Sequence, residues 1–530
     1  MSGMELERQF THAFWLLGAL IVAAFCGLLL ALSGNAIAVL LLFAPLAWLV
    51  LLPYHADLVI IFGTVLFNTA FIVPYLTGRP FLWEGFGVLG WTGLVVTLAL
   101  REQAIDTGRR IRKNWMLLLG LVLYAAVLLE TMYFRGAGLK ALGSAQIGGR
   151  IYFQQLITSI FPILFVIRPP SERLLVRLYL IQCLLSFSFV AADLAFAYAS
   201  GPFFQLLNFL ELPNDGLNFE QQAQSGGIRR FQSLGFMSVA IMSIIWIKYP
   251  IKSYFSQRGF ILWPLTALVF LAGLWSGHRI LVYISFTTLM TLAWSQRLFT
   301  VFRAATLFAT LAVLYALLFF FCRDLPLSSQ RAVSFIPGID VDPIASYDAW
   351  ITLNGRRLVR DAGWEESKKY RWLGRGFSKQ KLADEYYPDQ TYMWVDWGVF
   401  YNGTVGTLVN LGVPGALAFL FFLIGGTRCA LRIVRYVRLQ NLDDDLARLG
   451  CVICGGWFAQ TFSFIFMHGD SEFAMRTFAL PAAFLITCDY WLQKRSNSEI
   501  AENGQATSAL PRVIRYAVPE LESVSSRAIG

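Results

Sequence analysis

The chain has few charged residues and very few histidines, and both shortages restrict the classes of protein it can belong to. Of its 530 residues, 14% are charged and 57% are hydrophobic. A soluble globular protein carries about 25% charged residues, so this composition excludes an ordinary soluble domain. The four histidines form no HxxxH-type arrangement, and the sequence therefore offers no metal-binding signature.

Cysteine and nucleotide motifs contribute little chemistry. Most of the seven cysteines lie in apolar runs, and Cys451 and Cys454 form a CxxC pair inside the run GCVICGGWF. Such pairs bind zinc or exchange disulfides in other proteins, but small thiols inside an apolar run are typical packing residues of a membrane helix. The sequence contains no P-loop and no Rossmann fingerprint. We therefore expect no metal and no nucleotide cofactor.

Long apolar runs, in contrast, recur along most of the chain. A run of about 18 apolar residues can span a bilayer as a helix. The first run, Phe14 to Leu32, is too long for a signal peptide and lacks a small-residue cleavage site, so we expect it to be kept as a span. The sequence predicts an all-α polytopic membrane helix bundle with fourteen spans, at residues 13–32, 35–53, 57–75, 84–100, 115–133, 152–168, 178–199, 232–248, 260–276, 279–295, 304–321, 399–425, 449–467 and 475–493.

Basic residues orient this bundle. Loops that remain in the cytoplasm are enriched in lysine and arginine, and fourteen spans place five basic loops and both termini on one side. The net charge of +10 is therefore better explained by these loops than by nucleic-acid binding. The last loop is predicted to be an interfacial helix on anionic lipid. The five basic groups are Arg101–Lys113, Arg168–Arg177, Lys248–Arg258, Arg297–Arg303 and Arg428–Arg438.

The opposite side receives three polar segments: Gly201–Gln232, the long loop 322–398 and the turn His468–Phe473. Within the long loop, Ala345–Ala362 reads as an amphipathic helix that lies on the membrane surface or caps the bundle. Its apolar side would carry Trp350, Leu353 and Leu358, and its other side Arg356, Arg357 and Arg360. The polar tail 494–530 is predicted to be a disordered cytoplasmic segment.

Two arginines on the outer side are the first candidate functional residues. Arg230 lies at the start of one span, and Arg279 follows the Ser276-Gly277 break at the start of another. A single arginine there can snorkel into the headgroups, but two on the side that the charge rule disfavours indicate an anionic ligand. Helix N-termini and forked guanidinium bonds both suit phosphate. We therefore predict a site for a phosphate-bearing lipid.

Several spaced motifs between Gly227 and Ile424 extend this prediction. Arg230-Phe231 opens a span, Ser276-Gly277-His278-Arg279 forms a turn, and a long outer loop follows. That loop contains Asn354-Gly355-Arg356-Arg357 and Leu373-Gly374-Arg375-Gly376-Phe377. The loop ends at Asn402. Gly412 follows Asn402 after nine intervening residues, and Leu417 follows Gly412 after four more. In this ordered set the chain resembles the O-antigen ligase and O-antigen polymerase superfamily of bacterial envelope glycan assembly.

The resemblance implies a C-type glycosyltransferase fold in the bacterial inner membrane, with a polyprenyl-pyrophosphate-linked oligosaccharide as donor on the periplasmic face. Arg230 and Arg279 would hold the pyrophosphate and stabilise its developing charge without a metal. Further substrate contacts would come from Arg229, Arg356, Arg357, His278 and Asn402.

One position departs from the family pattern. Where the family has a histidine that helps to activate the acceptor hydroxyl, this chain has Tyr401, whose unperturbed pKa of about 10 makes it a poor base. It can still orient an acceptor or stack on a sugar, and so can the nearby Trp394 and Trp397, unless they form only an interfacial belt. Asp396 or His468 would then assist deprotonation, unless Asp396 makes only a structural hydrogen bond and His468 lies in a solvated turn. His278, Asp389, Asp470 and Glu472 are further candidates, and a helix-cap role is open for His278.

The sequence thus predicts a membrane enzyme that joins lipid-linked glycan repeat units, as O-antigen or exopolysaccharide polymerases do. It would comprise one transmembrane domain over residues 1–493 with a family-like core at 227–424, and its partners would be membrane lipids, a chain-length regulator and a flippase. Three alternatives remain: a ligase that transfers glycan to a lipid or protein, a flippase or transporter of lipid-linked sugars, and an O-acyltransferase. The absent histidine disfavours the ligase, the gathering of charges at one face disfavours the transporter, and the lack of a mid-span histidine disfavours the acyltransferase.

Overall fold

The computed structural model describes residues 54–74, 79–99, 106–136, 149–197, 205–211, 231–299, 301–377 and 394–508. Within these ranges the protein is almost entirely helical, and its β-structure is limited to isolated bridges, Phe71 with Leu210 and Ile72 with Phe81. The predicted all-α class is therefore confirmed for this part of the chain. The first two predicted spans, 13–32 and 35–53, lie outside the described residues.

The helices follow the apolar runs of the sequence. In chain order they are α1 (His55–Leu66), α2 (Leu82–Ala99), α3 (Thr107–Lys113), α4 (Trp115–Arg135), α5 (Gly149–Thr158), α6 (Ile160–Ile167), α7 (Glu172–Leu185), α8 (Ser188–Ala197), α9 (Gln232–Lys248), α10 (Gly259–Leu274), α11 (Arg279–Ser295), α12 (Val301–Phe321), α13 (Leu327–Val333), α14 (Pro343–Lys369), α15 (Gly403–Gln440), α16 (Asp445–Phe462) and α17 (Ala474–Ser508).

Several helical segments have the length and composition of membrane spans. Shorter apolar helices, including α10 and α11, accompany them. These helices indicate a membrane protein, whereas the total of fourteen spans and the assignment of each end to a compartment stay predictions. Among the described residues, five segments are long and apolar enough to cross a bilayer, namely Trp115–Arg135, Gly149–Ile167, Glu172–Phe196, Gly403–Gln440 and Asp445–Met467.

The helix predicted at 57–75 ends early. α1 stops at Leu66 because the chain turns at Asn68, whose φ of 57° lies in the left-handed region that asparagine tolerates. The Thr69 hydroxyl then donates to the Leu66 carbonyl at 2.7 Å. This side-chain bond satisfies one of the last carbonyls of the helix, so the apolar residues that follow leave the helical path.

α15 and α17 are longer than the sequence predicted. α15 is a single helix with a kink at Gly412. It joins two elements that were predicted to be separate, the span 399–425 and the basic interfacial helix Arg428–Arg438. Arg432 in its second half donates to Asp489 at 3.0 Å and to Asn114 at 2.8 Å, so it binds neighbouring helices. α17 likewise continues to Ser508, into the segment predicted to be a disordered tail.

Glycines allow the central helices to approach one another closely. A Cβ on Gly120 of α4 would lie 2.4 Å from the Phe422 nitrogen of α15, and one on Gly425 would lie 2.4 Å from the Leu117 nitrogen. Small residues at helix contacts are typical of membrane bundles, where packing replaces the hydrophobic effect as the main attraction. α15 therefore forms the centre of the bundle, and its first residues carry part of the candidate site.

Candidate functional site

The kink in α15 is built from two sequence motifs that bind each other. Pro414 has no N–H, so the Asn410 carbonyl lacks its helical donor and accepts instead from the Gly376 N–H at 2.9 Å. The Val413 N–H donates to the Arg371 carbonyl at 2.8 Å instead of to the Val409 carbonyl of the helix. The Val409 carbonyl accepts from the Arg375 N–H at 2.8 Å. We call Leu373–Phe377 the docking segment. It fixes the long loop onto α15.

The docking segment also holds the start of α15 through Arg375. This buried guanidinium donates from Nη1 to the Val395 carbonyl at 2.8 Å and lies 5.9 Å from the Phe400 ring centre. Asp396 and Glu472 are among its electrostatic partners. Asp396, a candidate base, therefore interacts electrostatically with Arg375. Sequence analysis gave Arg375 no role, because its variable place inside the motif carried no signal.

Tyr401 and Asn402 form the turn into α15. Tyr401 adopts a φ of 50°, which is uncommon for a bulky residue, and Asn402 follows in an extended conformation. The Asn402 Oδ1 accepts from the Val405 N–H at 3.0 Å, and its Nδ2 donates to the Ile465 carbonyl at 3.2 Å. Asn402 is thus a helix cap that also links α15 to the segment before His468.

The start of α11 presents Arg279. Gly277 has a φ of 70°, and the reversed turn places His278 at the cap of the helix and Arg279 at its first position. His278 occupies the cap position, but its side chain makes no capping bond to the helix, and its Nδ1 lies 2.9 Å from the Ser276 carbonyl oxygen. Arg279 is half-buried and donates to the Ser334 hydroxyl at 3.3 Å, while its buried Nε–H has no partner among the described residues.

A second buried arginine, Arg331 of α13, stabilises the turn at Gly277. It donates to the Gly277 carbonyl at 2.9 Å and to the Thr352 hydroxyl at 2.9 Å, and it forms an ion pair with Asp348 of α14. Arg331 therefore joins three segments. The sequence gave no sign of it, because a lone arginine in a polar loop has no distinguishing pattern.

α14 points Arg356 and Arg357 in different directions. Arg356 lies on the packed face with Ala349, Val359 and Gly363, and its guanidinium carbon is 5.4 Å from the Tyr401 ring centre. Arg357 is 73% exposed and pairs with Asp361 one turn later. Of the two predicted substrate-binding arginines on α14, the structure brings only Arg356 to the other site residues.

The helix predicted at Ala345–Ala362 is present within α14, and Trp350, Leu353 and Leu358 on its predicted apolar side are exposed. Its buried residues are small or aliphatic, namely Ala345, Ala349, Val359 and Gly363, and Arg356 lies half-buried beside them. Small side chains are required there because α14 lies close against α15. A Cβ on Gly363 would meet Val405 and Phe400 side chains at 2.6 Å.

Tyr401 is the centre of an aromatic and cationic cluster. Its ring stacks on the His468 ring at 6.0 Å between centres and meets Trp394 edge-on at 5.6 Å, with Arg356 on another side. The charges of Arg279 and Arg356 repel each other, and both His278 and Arg356 act on His468. We call Arg279, Arg356, His278, Tyr401 and His468 the site cluster. Its members come from α11, α14, the turn into α15 and the turn after α16.

His468 is held by a π-helical turn over Ser463–Met467, a feature that is frequent at functional sites. Its backbone N–H donates to the Ser463 carbonyl at 2.7 Å, and the Ser463 hydroxyl donates back to the His468 carbonyl at 2.9 Å. Burial lowers the pKa of the imidazole to about 3, and the positive charges of Arg356 and His278 act in the same direction. The ring is therefore a neutral group at neutral pH.

This lowered pKa predicts an acid sensitivity of folding. An unfolded histidine titrates near pH 6.5 and His468 in the folded protein near pH 3, so the unfolded state binds more protons between these values. Stability attributable to His468 is fully present above pH 6.5 and falls as the pH drops, by at most about 1.4 kcal/mol per pH unit. In His468→Gln this loss is absent, so we expect its unfolding midpoint to fall less between pH 7 and 4 than that of the wild type. Parallel pH profiles of the two proteins would contradict the assignment.

The remaining predicted residues are not part of the described cluster. Arg229, Arg230 and Asp389 lie outside the described residues. Asp470 precedes the Ser471–Phe473 turn and Glu472 lies within it, next to the segment that carries His468. No protein-family model matches the chain, and no curated protein matches it either. The family resemblance therefore depends on the sequence motifs alone.

Proposed function

We propose that this protein is a membrane glycan polymerase that joins polyprenyl-pyrophosphate-linked oligosaccharide units at the periplasmic face. The observation that carries the proposal is the site cluster: two half-buried arginines from separate helices meet beside a neutral histidine and a tyrosine. The cluster lies where α11 and α15 begin, and a substrate would reach it along the membrane surface.

The charges favour an anionic ligand. Arg279 and Arg356 repel each other, and a buried Nε–H of Arg279 lacks a partner in the described part of the chain. A pyrophosphate offers oxygens for forked guanidinium bonds and cancels the repulsion. Because Arg279 is the first residue of α11, backbone N–H groups and the helix dipole add to the attraction.

The reaction would need an acid–base group, and His468 is the best placed. A hydroxyl oxygen of the acceptor sugar attacks the anomeric carbon of the donor, the bond from that carbon to the pyrophosphate oxygen breaks, and polyprenyl pyrophosphate leaves with the electron pair. His468 takes the hydroxyl proton. Its pKa of about 3 is too low for an efficient base in the empty site. A bound pyrophosphate offsets the Arg356 charge and raises that pKa, so donor binding would activate the base.

Tyr401 would position the acceptor. Arg356, His468 and Trp394 surround its ring, so its hydroxyl would orient the acceptor by hydrogen bonding. A tyrosine in place of the family's histidine favours a polymerase over a ligase. Arg279 lies at a helix start and Arg356 lies in the long loop rather than in the middle of a span, and these locations favour an enzyme over a transporter.

Purified protein in proteoliposomes tests the proposal directly. We expect it to convert a synthetic polyprenyl-pyrophosphate-linked repeat unit into a ladder of longer lipid-linked chains without any nucleotide sugar. Transfer of a single glycan onto an added lipid or protein acceptor, with no ladder, would instead assign a ligase. Movement of the substrate across the bilayer without new glycosidic bonds would assign a flippase and overturn the proposal.

A further inference from the structure

The outward face of α14 is unusually apolar for a loop segment. Ile344, Tyr347, Ile351 and Leu358 recur at three-, four- and seven-residue steps and are between 47% and 64% exposed. This spacing places them on one side of the helix. Trp350 stacks on Tyr347 at 6.3 Å and enlarges the same surface. An apolar stripe of this length needs a partner that removes it from water.

The segment before α14 fixes the position of this stripe relative to the apolar helix α12. The Tyr315 hydroxyl of α12 donates to the Pro337 carbonyl at 2.9 Å, and Arg323 pairs with Asp340 at 2.8 Å. Tyr315 lies six residues before the end of α12, or about 9 Å along its axis. The chain therefore folds back alongside the last turns of α12 before α14 begins at Pro343.

The end of α12 is itself exposed and aromatic. Phe319, Phe320 and Phe321 all lie on the surface, as does Phe335 in the connection to α14. The sequence predicts α12 as a span, so these aromatic rings belong at the level where a bilayer meets water. The apolar stripe of α14 continues this surface, and the common partner of both is lipid.

Exposed side chains change character along α14. Beyond Leu358 most of the exposed positions are charged, namely Asp361, Glu365, Lys368 and Lys369, and Trp364 is the exception. A helix whose first half is apolar and whose second half is charged suits a course that leaves the membrane surface and enters water. Arg356 lies on the packed face at the transition between the two halves.

We propose that the first half of α14, from Pro343 to Leu358, lies in the interfacial layer of the bilayer, with Ile344, Tyr347 and Ile351 in contact with lipid. This seating would hold Arg356 at the level of the lipid headgroups. The proposal concerns the surface of α14 and does not depend on the reaction assigned to the site cluster.

Fluorescence quenching by lipid tests this seating. Tyr347→Cys is labelled with bimane in a Cys26→Ser background, because the six cysteines within the described residues are buried. The matched control is Glu365→Cys, which lies eighteen residues later, or about five turns, and thus on the same side of the helix. In proteoliposomes containing brominated phospholipid, we expect a severalfold larger loss of emission for the Tyr347→Cys label than for the control.

Two results would overturn the proposal. The first is equally weak quenching of both labels by brominated lipid. The second is weak lipid quenching of the Tyr347→Cys label together with efficient disulfide crosslinking of unlabelled Tyr347→Cys protein, which would assign the stripe to a second copy of this chain.

Discussion

Arg356→Ala should abolish polymer formation, whereas Arg357→Ala should leave it close to the wild-type level. The two residues are adjacent and chemically identical, but Arg356 lies over Tyr401 and Arg357 is exposed beside Asp361. Removal of one preorganised group that stabilises transition-state charge costs about 10² to 10³ in rate. Arg279→Ala should have a similar effect, because the proposed pyrophosphate would be held by Arg279 together with Arg356.

Each variant is expressed in a deletion strain, and the glycan profile of that strain is measured. The amount of the variant in the membrane and its monodispersity are measured in parallel, because the comparison requires equal amounts of folded protein. Arg356→Lys serves as a further test, since it keeps the charge and loses the forked geometry. It should recover part of the activity. Normal polymer formation by well-expressed Arg356→Ala would show that Arg356 is not part of the site. Equal losses of polymer in Arg356→Ala and Arg357→Ala would show the same.

Gly374→Ala should uncouple the long loop from the bundle. A Cβ at Gly374 would lie 2.1 Å from the Asn410 carbonyl oxygen, and this oxygen cannot move because it accepts the Gly376 N–H at the α15 kink. Overpacking against fixed backbone costs about 3 kcal/mol. We expect a clear drop in the unfolding midpoint together with loss of polymer, because α15 begins with the turn that carries Tyr401.

Gly355→Ala is the matched control for this change. Gly355 lies in α14 with no atom within 4 Å of an added Cβ, so alanine there fits and suits the helix better than glycine. Its midpoint should stay equal or rise. If Gly374→Ala unfolds no earlier than Gly355→Ala, the docking segment does not hold the loop in the way that the hydrogen bonds at Asn410 indicate.

The helices were predictable because apolar runs with polar ends leave a membrane chain few alternatives. α4, α9 and α11 lie within a few residues of their predicted limits. The early end of α1 was not predictable, since it depends on the left-handed turn at Asn68 and on the Thr69 side chain. Turns of this kind follow from local hydrogen bonds that an average over an apolar run does not record.

The site was predictable only in part. Arg279 and His468 stood out because polar groups at the ends of spans are costly. In the structure the His468 ring stacks on Tyr401, and Arg279 interacts electrostatically with Arg356. The distinction between Arg356 and Arg357 depends on which face of α14 packs, and the amphipathic pattern of the sequence placed both arginines on the same side. Packing here follows the small residues, because α14 approaches α15 closely at Gly363. The role of Arg331 could not be predicted, because it depends on contacts among three segments that are distant in sequence.

The central claim is that Arg279 and Arg356 bind the pyrophosphate of a lipid-linked glycan. It is tested most directly by binding of an unreactive polyprenyl pyrophosphate to purified wild type, Arg356→Ala and Arg357→Ala in detergent. We expect binding to weaken at least about tenfold in Arg356→Ala, as loss of about 1.4 kcal/mol from one charge-assisted contact requires, and to stay unchanged in Arg357→Ala. Equal affinity of all three proteins for the pyrophosphate would contradict the account.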